Sequence, residues 1–228
     1  MKQLPLGVRL SDRARFDSFV SGPNDAALAA VHALLAPDGH GVLVLWGPLG
    51  SGRSHLLQAA AASLPDSAYL PLAQLRALGP DVLEGTARAA YVGIDDLQVV
   101  VGDPAWEERL FFVWREVEAR RGRLAVACDR APAALPLQLR DLASRLSAAP
   151  AARLQLLDDG AQREVLRLRA TLRGLEMPDE TATWLLRRYP RDLPSLLALL
   201  DALDVAALAA QRRLTVPFIR EALAQVPP

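Results

Sequence analysis

The sequence predicts an α/β protein: a parallel five-stranded sheet flanked by helices, followed by a small all-helical C-terminal subdomain. Three observations predict it. The stretch Gly47-Pro48-Leu49-Gly50-Ser51-Gly52-Arg53-Ser54 lies between an apolar run, Val42–Trp46, and a strong helix former, Ser54–Ala62. Apolar strand-like runs then alternate with segments of helical period, the pattern of a sheet covered on both faces. From Asp158 onward only helical segments follow, with no strand between them.

Taken in order, residues 1–10 are apolar but carry Pro5 and Gly7, which predicts an extended peptide. Such a peptide straps the core or binds a partner. Phe16 and Phe19 precede a Gly22-Pro23 turn, and Asn24 or Asp25 is placed to cap a helix over 26–35. Pro37-Asp38-Gly39 ends that helix before the first strand, 42–46. The second strand is expected at 68–72, a helical turn at 74–78 and the third strand at 89–94, closed by Asp95-Asp96. Over 106–121, Leu110, Val113, Trp114 and Val117 share one helical face. The fourth strand is expected at 123–128, a helix at 136–146 and the fifth strand at 152–156. Helices over 161–172, 178–188, 193–203 and 217–224 complete a subdomain over 158–228, leaving 11–157 as the α/β part.

Composition narrows the function. The chain has 228 residues, 51% of them hydrophobic, enough for a sizeable core. Lysine plus arginine balances aspartate plus glutamate, 26 against 26, which argues against coating nucleic acid by bulk charge. One cysteine, Cys128, allows no intrachain disulfide, and His32, His40 and His55 form no ligand pattern. No leader-like segment and no run of about twenty apolar residues is present, so a cytoplasmic protein without a membrane partner is expected.

The glycine loop has the spacing of a phosphate-binding P-loop, with Arg53 in place of lysine. Its glycines let backbone N–H groups turn toward an anion, and the following helix adds the positive end of its dipole. Arginine keeps the charge but not the shape of an ammonium, so binding is expected more firmly than turnover. Lys2 is the sole lysine, so a general arginine bias also accounts for Arg53. Asp95, at a strand end after the P-loop, and Ser54 fit the two protein positions that hold Mg²⁺, with Asp95 delivered by a neighbouring strand. Asp96 is either a water-orienting base or a solvated strand end. Arg145 and Arg191 are candidates to complete a phosphate site, although in an arginine-rich chain a solvated surface role is the plainer reading of both.

With these residues in place, the chain resembles the AAA+ ATPases of the replication-initiator branch, the DnaA-like family, and within it the Hda group of DnaA regulatory inactivators. Phe16-Asp17-Ser18-Phe19 with Gly22 and Asn24 resembles the segment lining the adenine pocket, Gly47–Ser54 the P-loop, and Ile94-Asp95-Asp96-Leu97-Gln98 the acidic strand end. Asp129 matches the sensor-1 position, Arg145 in Asp141–Leu146 the arginine finger, and Arg191 the sensor-2 arginine of the lid. The resemblance implies a P-loop AAA+ fold with a helical lid. It also implies ADP or ATP with Mg²⁺ at Phe19, Gly47, Gly50, Gly52, Arg53, Ser54, His55, Asp129 and Arg191. Gln3-Leu4-Pro5-Leu6 resembles the Q-L-x-L peptide that binds the DNA polymerase III sliding clamp (its beta subunit), assigning Gln3, Leu4 and Leu6 to clamp binding. Nothing in the sequence corresponds to the initiator's DNA-reading domain, so DNA is expected to be met through the clamp.

The resemblance therefore implies a negative regulator of replication initiation. ADP-bound and tethered to the clamp, it would present Arg145 to ATP on DnaA and trigger hydrolysis in trans, with little ATPase of its own. Two other readings stay open: a helicase-loader-like or initiator-like ATPase hydrolysing its own ATP through Asp96, and a non-catalytic DnaA adaptor. Assembly with further copies of itself is open as well.

Overall fold

The computed structural model describes residues 14–189, 192–210 and 214–224. The chain divides into two units, Met1–Leu156 and Leu157–Pro228, taken separately below.

In the first unit five parallel strands form one sheet: β1 (Gly41–Trp46), β2 (Ser67–Pro71), β3 (Tyr91–Asp95), β4 (Arg123–Cys128) and β5 (Ala151–Arg153), in the order β2-β3-β4-β1-β5. The central strands are nearly all apolar, as a sheet covered on both faces requires. Their alternation sorts two layers. Leu43, Leu45, Tyr91, Ala125 and Ala127 face α1 (Asp25–Leu35) and α2 (Arg53–Ser63). Val44, Val92, Ile94, Leu124 and Val126 face α3 (Leu72–Leu75), α4 (Pro104–Ala119) and α5 (Arg140–Ala148).

The boundaries differ from the sequence expectation where side chains capture backbone groups. Asn24 does not cap α1. It is buried, and its amide exchanges two hydrogen bonds with the backbone of Gln155, donating to the carbonyl at 3.0 Å and accepting from the N–H at 2.7 Å. Leu72 opens α3 rather than closing β2. Ala89 follows a 3-10 turn, Thr86–Arg88, so β3 starts later than expected. Helix α4 starts earlier, at Pro104, because Asp103 caps it by accepting from Ala105 N at 3.1 Å and Trp106 N at 3.4 Å. The helix expected from 136 begins only at Arg140, since the amides of Gln138 and Leu139 are taken by Glu107. The fifth strand is three residues rather than five, although Leu154 N still bonds the Trp46 carbonyl at 2.7 Å.

The second unit holds α6 (Asp159–Leu172), α7 (Asp179–Arg188), α8 (Leu193–Ala210) and α9 (Val216–Ala224) around Leu166, Leu185, Leu196, Leu200 and Ile219. Asp158 caps α6 through Ala161 N at 2.8 Å, and Gly174 follows α6 at φ 73°, the left-handed turn that glycine suits. The almost fully buried Arg173 ties this end to Asp201 and Asp204 of α8. Helix α8 runs seven residues past the expected Leu203 end. Among the described residues no helix is long and apolar enough to cross a membrane.

Candidate functional site

The P-loop joins the end of β1 to the start of α2. Gly50 and Gly52 adopt φ 81° and 100°, where a side chain strains the backbone. A Cβ on Gly47 would run into the Leu154 carbonyl oxygen, and one on Gly52 would stand 2.8 Å from the Phe19 ring. The loop is therefore wrapped closely on both sides. Gly47 N–H reaches the Cys128 carbonyl at 3.3 Å, which fixes the loop against the end of β4. No side chain caps α2, leaving its first N–H groups to an outside acceptor.

Two polar groups test whether that acceptor is an anion. Arg53 is 6% exposed and Ser51 3%, and neither Arg53 Nη1 nor Ser51 Oγ has a hydrogen-bond partner. A buried guanidinium nitrogen and hydroxyl left open in a glycine loop at a helix N-terminus fit phosphate oxygens. The residues present thus suit a nucleotide phosphate.

The acidic side is assembled too. β4 lies between β1 and β3, so Asp95 comes from two strands away rather than from the neighbouring strand. It nevertheless meets Ser54, which donates to its carboxylate. The Tyr69 hydroxyl donates to Asp95 Oδ2 at 2.7 Å and the Asp96 N–H to Oδ1 at 2.9 Å. Burial holds the Asp95 carboxyl above its ordinary range; the Ser54 and Tyr69 hydrogen bonds pull it partly back. Burial, and then the charge of Asp95, raise the Tyr69 and Tyr91 hydroxyls in turn. Asp96 sits at φ 57° with Oδ1 accepting from Gln98 Nε2 at 3.0 Å, a constrained backbone at a strand end. Among the described residues no group of three or more His, Cys, Asp or Glu forms a metal cage. A P-loop Mg²⁺ does not need one, because it keeps waters and substrate phosphates as most of its ligands.

Asp129 follows β4 and is paired in two parallel bonds of 2.8 Å with Arg130. That pairing holds its carboxyl below the usual range, with a smaller contribution from Arg53. Burial pushes the Cys128 thiol up to about 11, so it is an apolar filler at working pH. His55 Nε2 lies 2.8 Å from the Arg15 carbonyl, and its ring packs 5.3 Å from Phe19. It therefore fastens the Phe16–Phe19 segment to α2. Phe16 packs on His32 at 4.4 Å.

Arg145 lies elsewhere in the unit. Its helix α5 covers the sheet face opposite α2, and its partners are on α4: an ion pair to Glu118 and a stack 5.5 Å over Phe111. The side chain is 39% exposed. Gln3, Leu4, Leu6 and Arg191 lie outside the described residues.

Sequence reasoning missed Tyr69 and Glu107, did not single out Ser51 within the loop, and gave Asn24 a helix cap rather than its Gln155 partner. Glu107 had a signal: it shares the apolar stripe of α4 with Leu110 and Trp114, and it is fully buried. A charge on a buried stripe demands internal partners. Asn24 had none, since its partner is 131 residues away.

A family model for the lid domain of Hda matches residues 159–223. Domain III of the replication initiation protein DnaA from Thermotoga maritima superposes with a TM-score of 0.80 at 22% identity, over 95% of this chain and 98% of that one. AMPPCP-bound DnaA from Aquifex aeolicus gives 0.69 at 19% identity, over 84% of this chain and 65% of that one. The Thermotoga maritima RuvB branch migration motor gives 0.62 at 17% identity, over 92% and 71%. The strand order, the P-loop and the lid match converge: the chain has a fold like that of DnaA domain III, and its residues 159–223 match the lid domain of Hda.

Proposed function

We propose that this protein is a nucleotide-bound regulator of replication initiation that stimulates hydrolysis of ATP held by DnaA. Gly47–Ser54 holds ADP or ATP as a conformational support, with Phe19 beside the loop and Arg53 and Ser51 supplying the open phosphate donors. Bound Mg²⁺ would be held by Ser54 and Asp95 and would neutralise phosphate charge. Asp129 and Arg191 complete the nucleotide site. Gln3, Leu4 and Leu6 tether the protein to the DNA polymerase III sliding clamp, through which it meets DNA. On DnaA, water attacks the γ-phosphorus of ATP and the bond to the bridging oxygen breaks. Arg145 stabilises the charge that spreads over the transferring oxygens.

The observation that supports this reading is the seat of Arg145. It is half-exposed, carried on α5 and packed against α4, on the face opposite the helix that bears Arg53. A guanidinium placed that way serves a neighbour's phosphate better than its own. The match of residues 159–223 to the Hda lid and the likeness to the DnaA fold support DnaA as the partner. One observation favours a second reading: Ser54, Asp95 and Asp96 are already gathered, as hydrolysis at the protein's own site requires.

The test is a reconstituted reaction with ATP-bound DnaA, clamp loaded on DNA and this protein. Conversion to ADP-bound DnaA that needs all three components is expected, and replacing Gln3, Leu4 and Leu6 by alanine should abolish clamp binding, and with it the conversion, while ADP binding persists. Steady-state hydrolysis by the isolated protein, abolished in Asp96→Ala, with no effect on DnaA, would replace this reading with the second.

A further inference from the structure

The next inference rests on that reading of Arg145 and concerns what holds it in place. Glu107 of α4 is 0% exposed. Its Oε1 accepts from Gly102 N–H at 2.7 Å, and its Oε2 accepts from Gln138 N–H at 2.9 Å and Leu139 N–H at 2.7 Å. The Gln138 side chain returns to the Gly102 carbonyl at 2.9 Å. One carboxylate thus binds two chain segments that are remote in sequence. The first, at Gly102, follows the strand end carrying Asp95 and Asp96. The second, at Gln138 and Leu139, leads directly into α5, of which Leu139 is the N-terminal flanking residue.

All three donors are backbone amides. They cannot swing away as side chains do, so the carboxylate fixes main chain rather than decorating it. Further along α4, Phe111 and Glu118 receive the Arg145 side chain itself. Helix α4 therefore holds α5 at its start and again at its functional arginine. A group that completes a phosphoryl-transfer site acts only within a narrow geometric range, and its supporting contacts decide whether it reaches that range.

We propose that Glu107 is the positioning residue for Arg145: its buried carboxylate sets the start of α5 and through it the reach of the guanidinium. Glu107 is fully buried with its carboxylate engaged by backbone amides, so its effect on the reaction passes through α5. Glutamine at this position keeps the shape and one acceptor oxygen. It turns the other oxygen into an NH₂ group facing N–H donors, which is repulsive.

The experiment compares the unmodified protein, Glu107→Gln, Arg145→Ala and the double variant. Single-turnover hydrolysis of ATP on DnaA is followed against the concentration of this protein, with ADP binding measured in parallel. In Glu107→Gln the maximal rate should fall by about 10–100-fold, the half-saturating concentration and ADP affinity should be unchanged, and the change should add nothing in the Arg145→Ala background. A wild-type maximal rate, a shift in half-saturation alone, or an equal further loss in the Arg145→Ala background would overturn the inference. Amide exchange on the unmodified protein provides an arm that needs no variant to fold. Gly102, Gln138 and Leu139 should be protected, and exchange at the free rate refutes the carboxylate hold. Hydrolysis that is unstimulated by the unmodified protein, or that survives Arg145→Ala, sinks the functional reading itself. Loss in Arg145→Ala with full activity in Glu107→Gln sinks only the positioning role.

Discussion

Replacing Arg145 by alanine separates function from stability, because the structure sets its two costs far apart. The stability cost is the ion pair to Glu118 and the stack on Phe111. The paired side chains are 39% and 41% exposed, so the bridge is screened by water and contributes about 0.2–1 kcal/mol. The guanidinium 5.5 Å from the Phe111 centroid adds about 0.5–1 kcal/mol at an exposed site. The sum is about 1–2 kcal/mol, and for a chain of this length each kcal/mol lowers Tm by about 2–4 °C. Loss of a finger in trans costs about 10³–10⁵ in rate, which is about 4–7 kcal/mol of transition-state stabilisation. Arg145→Ala should therefore remain folded and bind ADP normally, yet leave ATP on DnaA unhydrolysed over the time in which the unmodified protein converts it. Labelled nucleotide on DnaA, resolved into ATP and ADP after clamp-loaded DNA and the variant are added, reads this directly. Arg145→Lys keeps the charge but loses the planar fork, so an intermediate rate is expected. Glu118→Gln removes the carboxylate that competes with phosphate for Arg145, so stimulation should persist. Conversion at the unmodified rate by Arg145→Ala, with folding verified, would refute the assignment of the finger.

Other perturbations probe the nucleotide site and its supports. Gly52→Ala places a Cβ 2.8 Å from Phe19 at φ 100°, so the backbone strain of about 1–2 kcal/mol adds to displacement of that ring. Fluorescent ADP titration should show affinity reduced by about tenfold or more, since 1.4 kcal/mol is a decade. Asn24→Ala leaves the Gln155 N–H and carbonyl without their partner, and thermal unfolding should show a loss of about 1–2 kcal/mol with ADP affinity nearly intact. Asp95→Asn should stabilise the nucleotide-free protein at neutral pH. Its carboxyl is held above the ordinary value by burial, so its contribution to stability is fully present below the unfolded-state pKa and is lost as pH rises through the folded one. The advantage of Asp95→Asn in Tm should be absent below about pH 4 and grow as pH rises. With Mg²⁺ and nucleotide the order should reverse, because the carboxylate is then a ligand. An advantage independent of pH would remove burial of the charge as its cause.

What the sequence made legible was whatever is encoded locally. The glycine loop announces itself because Gly50 and Gly52 need positive φ and Gly47 admits no Cβ, constraints that act within a few residues. The alternating apolar runs give the strands, and the period of Leu110, Val113, Trp114 and Val117 gives α4, since each reports one buried face. What stayed hidden is long-range satisfaction of polar groups. The period of 136–146 reads as one helix, yet the helix starts at Arg140, and Glu107, from another helix, takes the two amides just ahead of it, those of Gln138 and Leu139. Asn24 follows the capping rule for α1 but is drawn off by Gln155, a partner no local window contains. Strand order is hidden in the same way. Asp95 and Ser54 meet across an intervening strand, and Asp129 at the end of that strand stands beside Gly47 because Trp46 and Cys128 are paired in register. The site is therefore built from local signals brought together by non-local polar contacts, and those contacts are where its positioning resides. Glu107 is the sharpest case: its sequence context marks it as a charge on a buried stripe, but only the fold shows that the charge is spent on the start of the helix that carries Arg145.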